Sequence, residues 1–237
     1  MLLAHPGFHG VVATCDDKIV GSNFFDERSP IVGVGPISVE PAIQQRGIGR
    51  RLMEHVLARA AEKRAPGVRL LQAGYNNQSL CLYTKLGFRT GEPISLLSGS
   101  PPSVKLSGYN VRQARNSDLE LCNELSRKLH GHDRAGEVVD AISANTATIV
   151  ERQGRITGYA TSIGFFAHAV GETSEDVMAL IGAAPNISGP GVLVPTRNHE
   201  LFSWCLDNGL GLAFQMTLMS VGLYNEPIGA YLPSVLY

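Results

Sequence analysis

The chain has 237 residues, 44% hydrophobic and 17% charged, with a formal net charge of −1. That length holds one large domain or two small ones; the apolar share excludes a disordered chain, and the near-neutral charge excludes the electrostatic footprint of a nucleic-acid binder. Cys15, Cys81, Cys122 and Cys205 are scattered without a metal-binding spacing and read as reduced core thiols of a cytoplasmic protein; Met1–Gly10 lacks a basic residue before an apolar run, and no apolar stretch reaches spanning length, so neither a secretory leader nor a membrane partner is expected.

In chain order, Val11–Cys15 and Ile19–Phe25 read as a hairpin around Asp16-Asp17, followed by a strand over Ile31–Val39. Gly33, Gly35 and Pro36 inside that strand signal a bulge or a close backbone approach. A helix is predicted from Gln45 to Lys63, because Ile48, Leu52, Met53, Val56, Leu57 and Ala60 form one apolar stripe before Pro66-Gly67. Val68–Ala73 is a strand, Gln78–Leu86 a helix and Ile94–Leu97 a strand. The order implies an α/β sheet with a helical crossover. Ser98–Gly108 is rich in Ser, Gly and Pro and marks a linker.

The second half repeats this order imperfectly. Asn198 precedes Gly209 at the spacing at which Asn76 precedes Gly87, and Met216–Met219 follows Gly209 as Ile94–Leu97 follows Gly87. Lys18–Gly21 likewise parallels Arg155–Gly158. Such parallels indicate an internal duplication. The second copy also has a long lead-in, with a strand at Asn110–Gln113 and helices near Asp118–His130 and Ala135–Ser143. The first copy has only Met1–Gly10 in that place.

The segment Gln44-Gln45-Arg46-Gly47-Ile48-Gly49 leaves a strand and opens a helix. Backbone N–H groups at such a start are unpaired, and their dipoles favour phosphate. Gly47 and Gly49 remove Cβ atoms from its path, and Arg46, Arg50 and Arg51 add positive charge. A glycine pair alone would equally fit an ordinary helix start with a solvated basic face.

With Val39-Glu40-Pro41 before this loop, and Asn76 and Leu82-Tyr83-Thr84-Lys85-Leu86-Gly87-Phe88 after the next strand, Val11 to about Leu97 resembles the GNAT superfamily of N-acetyltransferases. The resemblance implies an α/β fold: a mixed, splayed GNAT-type sheet flanked by helices, followed by a second GNAT-like α/β domain. The expected division is an acetyl-CoA-binding domain over 1–100, without the strand and two helices that usually open the fold, and a degenerate GNAT-like domain over 108–237. Either the second half supplies the missing wall of the acceptor pocket, or the start at Met1 omits native residues. Acetyl-CoA would be the co-substrate, with no metal. Its pantetheine arm would lie in the splay against backbone near Ile37 and Val39 and contact Asn76. Its pyrophosphate would rest on Gln44, Gln45, Arg46, Gly47, Ile48, Gly49 and Arg50. Tyr83 matches the family's general acid, which assists departure of the thiolate. The implied acceptor partner is a small-molecule or peptide amine, acetylated on its nitrogen.

Other residues are less telling. Ile31–Ser38 contains no carboxylate, which leaves Asp26, Glu27, Glu40 and Glu92 as bases among which the sequence does not choose. His130-Gly131-His132-Asp133 is the densest metal-like group, but it sits at a helix end that Gly131 would terminate. The second half has Cys205 where Tyr83 would fall and no glycine loop; Glu172, Glu175 and Asp176 there would repel a diphosphate. Tyr224–Tyr237 is an aromatic tail suited to packing between the halves. A cofactor-binding sensor without turnover is the alternative to an enzyme.

Overall fold

The computed structural model describes residues 4–237. The hairpin strands are β1 (Phe8–Cys15) and β2 (Lys18–Asp26). Asp16 and Asp17 turn between them at φ 49° and 60°, a left-handed pair whose twist matches the flanking strands. β3 (Ile31–Val39) pairs with β2, and α1 (Ile48–Glu62) carries the chain over to β4 (Gly67–Ala73), which lies parallel to β3. Four of the six stripe positions, Leu52, Met53, Val56 and Ala60, are buried, and the last three pack with Phe25, Val34, Leu70 and Phe88. The helix starts three residues later than the periodicity predicts. Gln45 and Gly47 stand at φ 65° and 82°, and neither conformation can continue a right-handed helix.

α2 (Asn77–Lys85) and β5 (Arg89–Ser98) complete the first half; residues 99–109 carry neither helix nor strand. The second half runs β6 (Asn110–Gln113), α3 (Leu119–His130), α4 (Ala135–Ser143), β7 (Thr148–Arg152), β8 (Arg155–Ala160), β9 (Ala169–Gly171), α5 (Ser174–Ala183), β10 (Val192–Pro195), α6 (His199–Asp207), β11 (Gly211–Gly222) and β12 (Ala230–Leu232). Gly131 ends α3 in the left-handed conformation, as its position predicts.

Pairing produces a seven-stranded sheet, β1-β2-β3-β4-β11-β5-β10, and a five-stranded sheet, β12-β9-β8-β7-β6. The first sheet takes strands from both halves. β11 enters between β4 and β5, and β5 in turn lies between β11 and β10. The offset that superposes Gly87 on Gly209 also superposes Ala73 on Pro195 and Ile94 on Met216. Ala73, Met216, Ile94 and Pro195 are successive partners across these four strands. The sequence repeat is therefore a local pseudo-twofold whose axis passes between Ile94 and Met216, and the halves have exchanged a strand. Ile94, Leu96, Leu193, Met216 and Leu218 bury this junction.

α1 and α2 cover one face of β3 and β4. The second half covers the other. Arg28, just after β2, bonds Asp140 of α4 at 2.8 Å, and Ser29 Oγ donates to Glu137 at 3.1 Å. A Cβ at Gly33 would collide with the carbonyl oxygen of Leu236, so that glycine is required by the tail crossing β3. Thus the tail does pack between the halves. One expectation fails: only Cys122 and Cys205 are buried, while Cys15 on the hairpin and Cys81 on α2 are exposed. All four are free thiols.

Candidate functional site

The site grows from a divergence of β3 and β4. Their parallel pairing runs from Ile31 with Gly67 to Val34 with Leu70, and stops. β3 continues to Val39 beside β2, and β4 continues to Ala73 beside β11. A register shift in the β2–β3 pairing between Asn23 and Phe25 bends the strand at this point. The β4-facing edge of Ile37–Val39 is left without a strand partner.

The start of α1 faces this gap. Its N-cap is Gly47, which makes no side-chain cap bond, and its first turn holds no acid. The first-turn N–H groups are therefore open to an anion. Gly47 is demanded by its left-handed φ of 82°, with nothing near a notional Cβ. Gly49 differs: a Cβ there would make only ordinary contacts, with Leu82 at 3.5 Å and Val39 at 3.9 Å, so packing alone does not demand glycine at this position. Gln44 Nε2 donates to the Val39 carbonyl at 3.2 Å and ties the loop to the strand end.

A cavity of about 560 Å³ joins these parts. It brings together Ile37, Val39, Gln44, Gln45, Gly47, Ile48, Gly49, Arg50, Asn76 and Tyr83. Arg46 is exposed and does not line it. Sequence reasoning missed Ser38, Gln78, Ser79, Cys81, Leu82 and Lys85. The α2 members were readable from helical spacing, since Gln78, Leu82 and Lys85 share a face, as do Ser79 and Tyr83. Arg50 also pairs with Glu54 at 3.1 Å, which spends part of its charge.

Tyr83 is buried against Phe88, and burial pushes its phenol up to about 12. It is therefore a neutral hydrogen-bond donor at ordinary pH. Asn76 caps α2, its Oδ1 accepting from Ser79 N at 3.0 Å. Asn198 caps α6 in the same way at 3.1 Å. Helix capping thus accounts for the repeated asparagine in both halves, and leaves the Asn76 amide nitrogen for a ligand. None of the four carboxylates considered as bases lines the cavity. Asp26 is held by Arg28 at 2.9 Å, Glu27 by Arg59 at 2.8 Å and Glu92 by Arg197 at 2.6 Å, while Glu40 is exposed.

The corresponding place in the second half is closed. Between β9 and α5, Thr173 and Asp176 form a capping box, the Asp176 carboxylate accepting from Thr173 N at 2.9 Å and Oγ1 at 3.1 Å, and Glu175 adds a second acid. Cys205 is buried, its thiol pushed up to about 12 by desolvation. His130 and His132 are also buried; burial and Arg134 hold both rings neutral. Among the described residues no three metal-binding side chains converge. No helix there is long and apolar enough to cross a membrane.

Residues 6–90 match the family model described as "Acetyltransferase (GNAT) domain". Over these residues the chain is similar to a GNAT domain. Over 94% of its length the chain overlays 76% of a protein from Pyrococcus horikoshii provisionally described as an acetyltransferase, at TM-score 0.72 and 17% identity. Over the same share it overlays 86% of a tandem GNAT protein from the clavulanic acid biosynthesis pathway, at TM-score 0.54 and 12% identity. Both likenesses establish a tandem GNAT fold for the whole chain. A ribosomal-protein-S18-alanine N-acetyltransferase from Escherichia coli is covered over 57% of its length by 38% of this chain, at TM-score 0.36 and 21% identity. No curated protein matches the chain. In GNAT terms, the splay, the glycine loop and α2 lie in the first copy, and the second copy supplies the strand that closes its sheet.

Proposed function

We propose that the chain is an acetyl-CoA-dependent N-acetyltransferase acting on a primary amine. The observation that carries this reading is the uncapped, acid-free start of α1 beside the β3–β4 splay. The pyrophosphate would rest on amides from Gln45 to Arg50, with Gln44 holding the loop. The pantetheine arm would run along Ile37–Val39, reached by Asn76. Arg46, exposed and off the cavity, would act only as a long-range charge.

The amine nitrogen attacks the thioester carbonyl carbon, the C–S bond breaks, and the nitrogen gives up one proton. Tyr83 would donate a hydrogen bond to the departing sulfur. Its phenol, at about 12, is a weaker acid than a thiol near 8.5. Donation without full transfer is therefore its reading, and the thiolate takes its proton from solvent. No free carboxylate lines the cavity, so an amine that arrives neutral suits the site. The same lack of a base is what favours the second reading, a cofactor-binding sensor without turnover. Thiol release from acetyl-CoA across an amine panel separates the two: the transferase reading expects amine-dependent release, and binding without release from any amine would contradict it.

A further inference from the structure

On the face of β4 away from α1 and α2 lies a buried cation with no counterion. Val68 and Leu70 point into the core under those helices, so Arg69 between them points the other way. Arg69 is paired in the sheet to Gly33 on one side and Ser220 on the other, and its side chain is fully buried. Nε, Nη1 and Nη2 all lack a hydrogen-bond partner. The Tyr237 and Tyr224 rings lie 4.1 and 5.0 Å from the guanidinium carbon. Both rings make cation–π contact with the guanidinium, and its N–H groups stay unpaired.

The surroundings hold more unmet polar groups of the same kind. Both ring nitrogens of His130, Nε2 of His132 and the Tyr237 hydroxyl are buried without partners. Nearby acids are already engaged. Glu137 accepts from Arg134 at 2.9 and 2.8 Å and also pairs with Ser29 and His168, while Arg134 donates further to the Tyr237 carbonyl. Glu92 accepts from Arg197, Tyr224 and Tyr231. No described acid forms an ion pair with Arg69, and burial together with Arg134 pulls its guanidinium down to about 10. A buried, unpaired charge is costly, and fork-shaped donors match a carboxylate.

The position connects this cation to the proposed chemistry. Arg69 sits one residue before Leu70, where the β3–β4 pairing ends and the splay opens. At about 3.3 Å per strand residue, that end lies within one small molecule's length of Arg69. The cavity lies on the α1–α2 side of these strands, beyond the end of their pairing. Residues 223–229 carry no helix or strand, and half-buried Tyr224 is the cover nearest solvent.

We propose that Arg69, beside the Tyr224 and Tyr237 rings with its N–H groups unpartnered, receives the carboxylate of the acceptor, so that the substrate class is small amino acids. The inference rests on the transferase reading. Its test uses the full chain, with the standard L-amino acids and their amides as probes, in calorimetry without cofactor and in acetyl transfer. At least one amino acid is expected to bind, with its amide weaker by at least about 30-fold. Arg69→Met, which removes an unpaired buried charge, is expected to fold with an unchanged or raised Tm and to lose that preference. Arg69→Lys is the second variant should Met fail to fold, and is expected to keep only part of it. Amides bound and acetylated as well as the acids would overturn the inference and leave the transferase reading intact. Binding of acids that are never acetylated, with loss in Arg69→Met, would uphold the carboxylate site as one for a free small acid and sink the acceptor assignment. Absence of binding by any amino acid, or a preference unchanged in the folded variants, overturns it outright.

Discussion

α1 and α5 occupy corresponding places in the two halves and begin in opposite ways. α1 starts at a left-handed glycine, with no side-chain cap and no acid in its first turn. α5 starts at Thr173, with a full capping box and two acids. One fold thus yields an anion site or a sealed helix end according to who satisfies the first amides. The lesson is that the proposed cofactor site rests on withholding local hydrogen bonds. The second copy spends those bonds on itself, and its contribution to the molecule is β11, the strand that completes the first copy's sheet.

The largest expected effect comes from separating the halves. Without β11, β4 and β5 each lose their neighbour; without β5, β10 and β11 lose theirs. Residues 1–100 expressed alone should aggregate or remain unfolded, and 108–237 should be destabilised as well, since unpaired strand edges and apolar surface would meet water. Co-expression should restore a folded complex. A cooperative melt and wild-type circular dichroism from either piece alone would refute the strand exchange.

Next comes the loop. Gly49→Glu places bulk and negative charge between Leu82 and Val39, within the cavity. It should weaken acetyl-CoA by roughly 100-fold or more, since phosphate binding at a helix start depends on that local field. Calorimetry on the folded variant checks this, and affinity within a few-fold of wild type would remove the site from α1. Tyr83→Phe should keep the packing against Phe88 and the cofactor affinity while lowering turnover of an identified amine, by about 10²-fold at most. Unchanged turnover would leave Tyr83 a core residue.

Much of this contrast is visible in the sequence, and the reasons differ by element. The α1 stripe is periodic, and period survives without tertiary context. Gln45 is not legible as a left-handed residue, since only glycine advertises that conformation, so the helix was placed too early. The exchange of β5 and β11 is hidden because strand pairing between distant segments leaves no local pattern. Arg69 is hidden for a related reason. In a strand whose neighbours Val68 and Leu70 face a core, an intervening arginine reads as solvent-facing, and only the second half's packing buries it. The cavity is legible where a motif carries it and blank where only α2 geometry does, as at Gln78 and Cys81.

Smaller effects sharpen the difference between the halves. His130, His132 and His168 are buried in the second half, and burial first, then Arg134, lowers each below its ordinary value, His132 to about 3 and His168 to about 4. The unfolded chain binds protons below about 6.5 that the folded one refuses, so stability falls as pH drops from there toward 4 and 3. Each histidine contributes at most about 1.4 kcal/mol per pH unit. The urea midpoint should therefore drop clearly between pH 7 and pH 5, and a flat profile would contradict neutral burial. Finally, Thr173→Ala should cost about 1 kcal/mol through loss of the α5 cap, read as a shift in urea midpoint. It should leave acetyl-CoA affinity untouched, and a change in that affinity would place cofactor at α5.

The central claim is that one copy holds the cofactor and the other does not. Titration calorimetry of acetyl-CoA into the intact chain tests it most directly. The account predicts one site per chain, abolished by Gly49→Glu and indifferent to Thr173→Ala. Two sites, or a single site that survives Gly49→Glu in a folded protein, would contradict it.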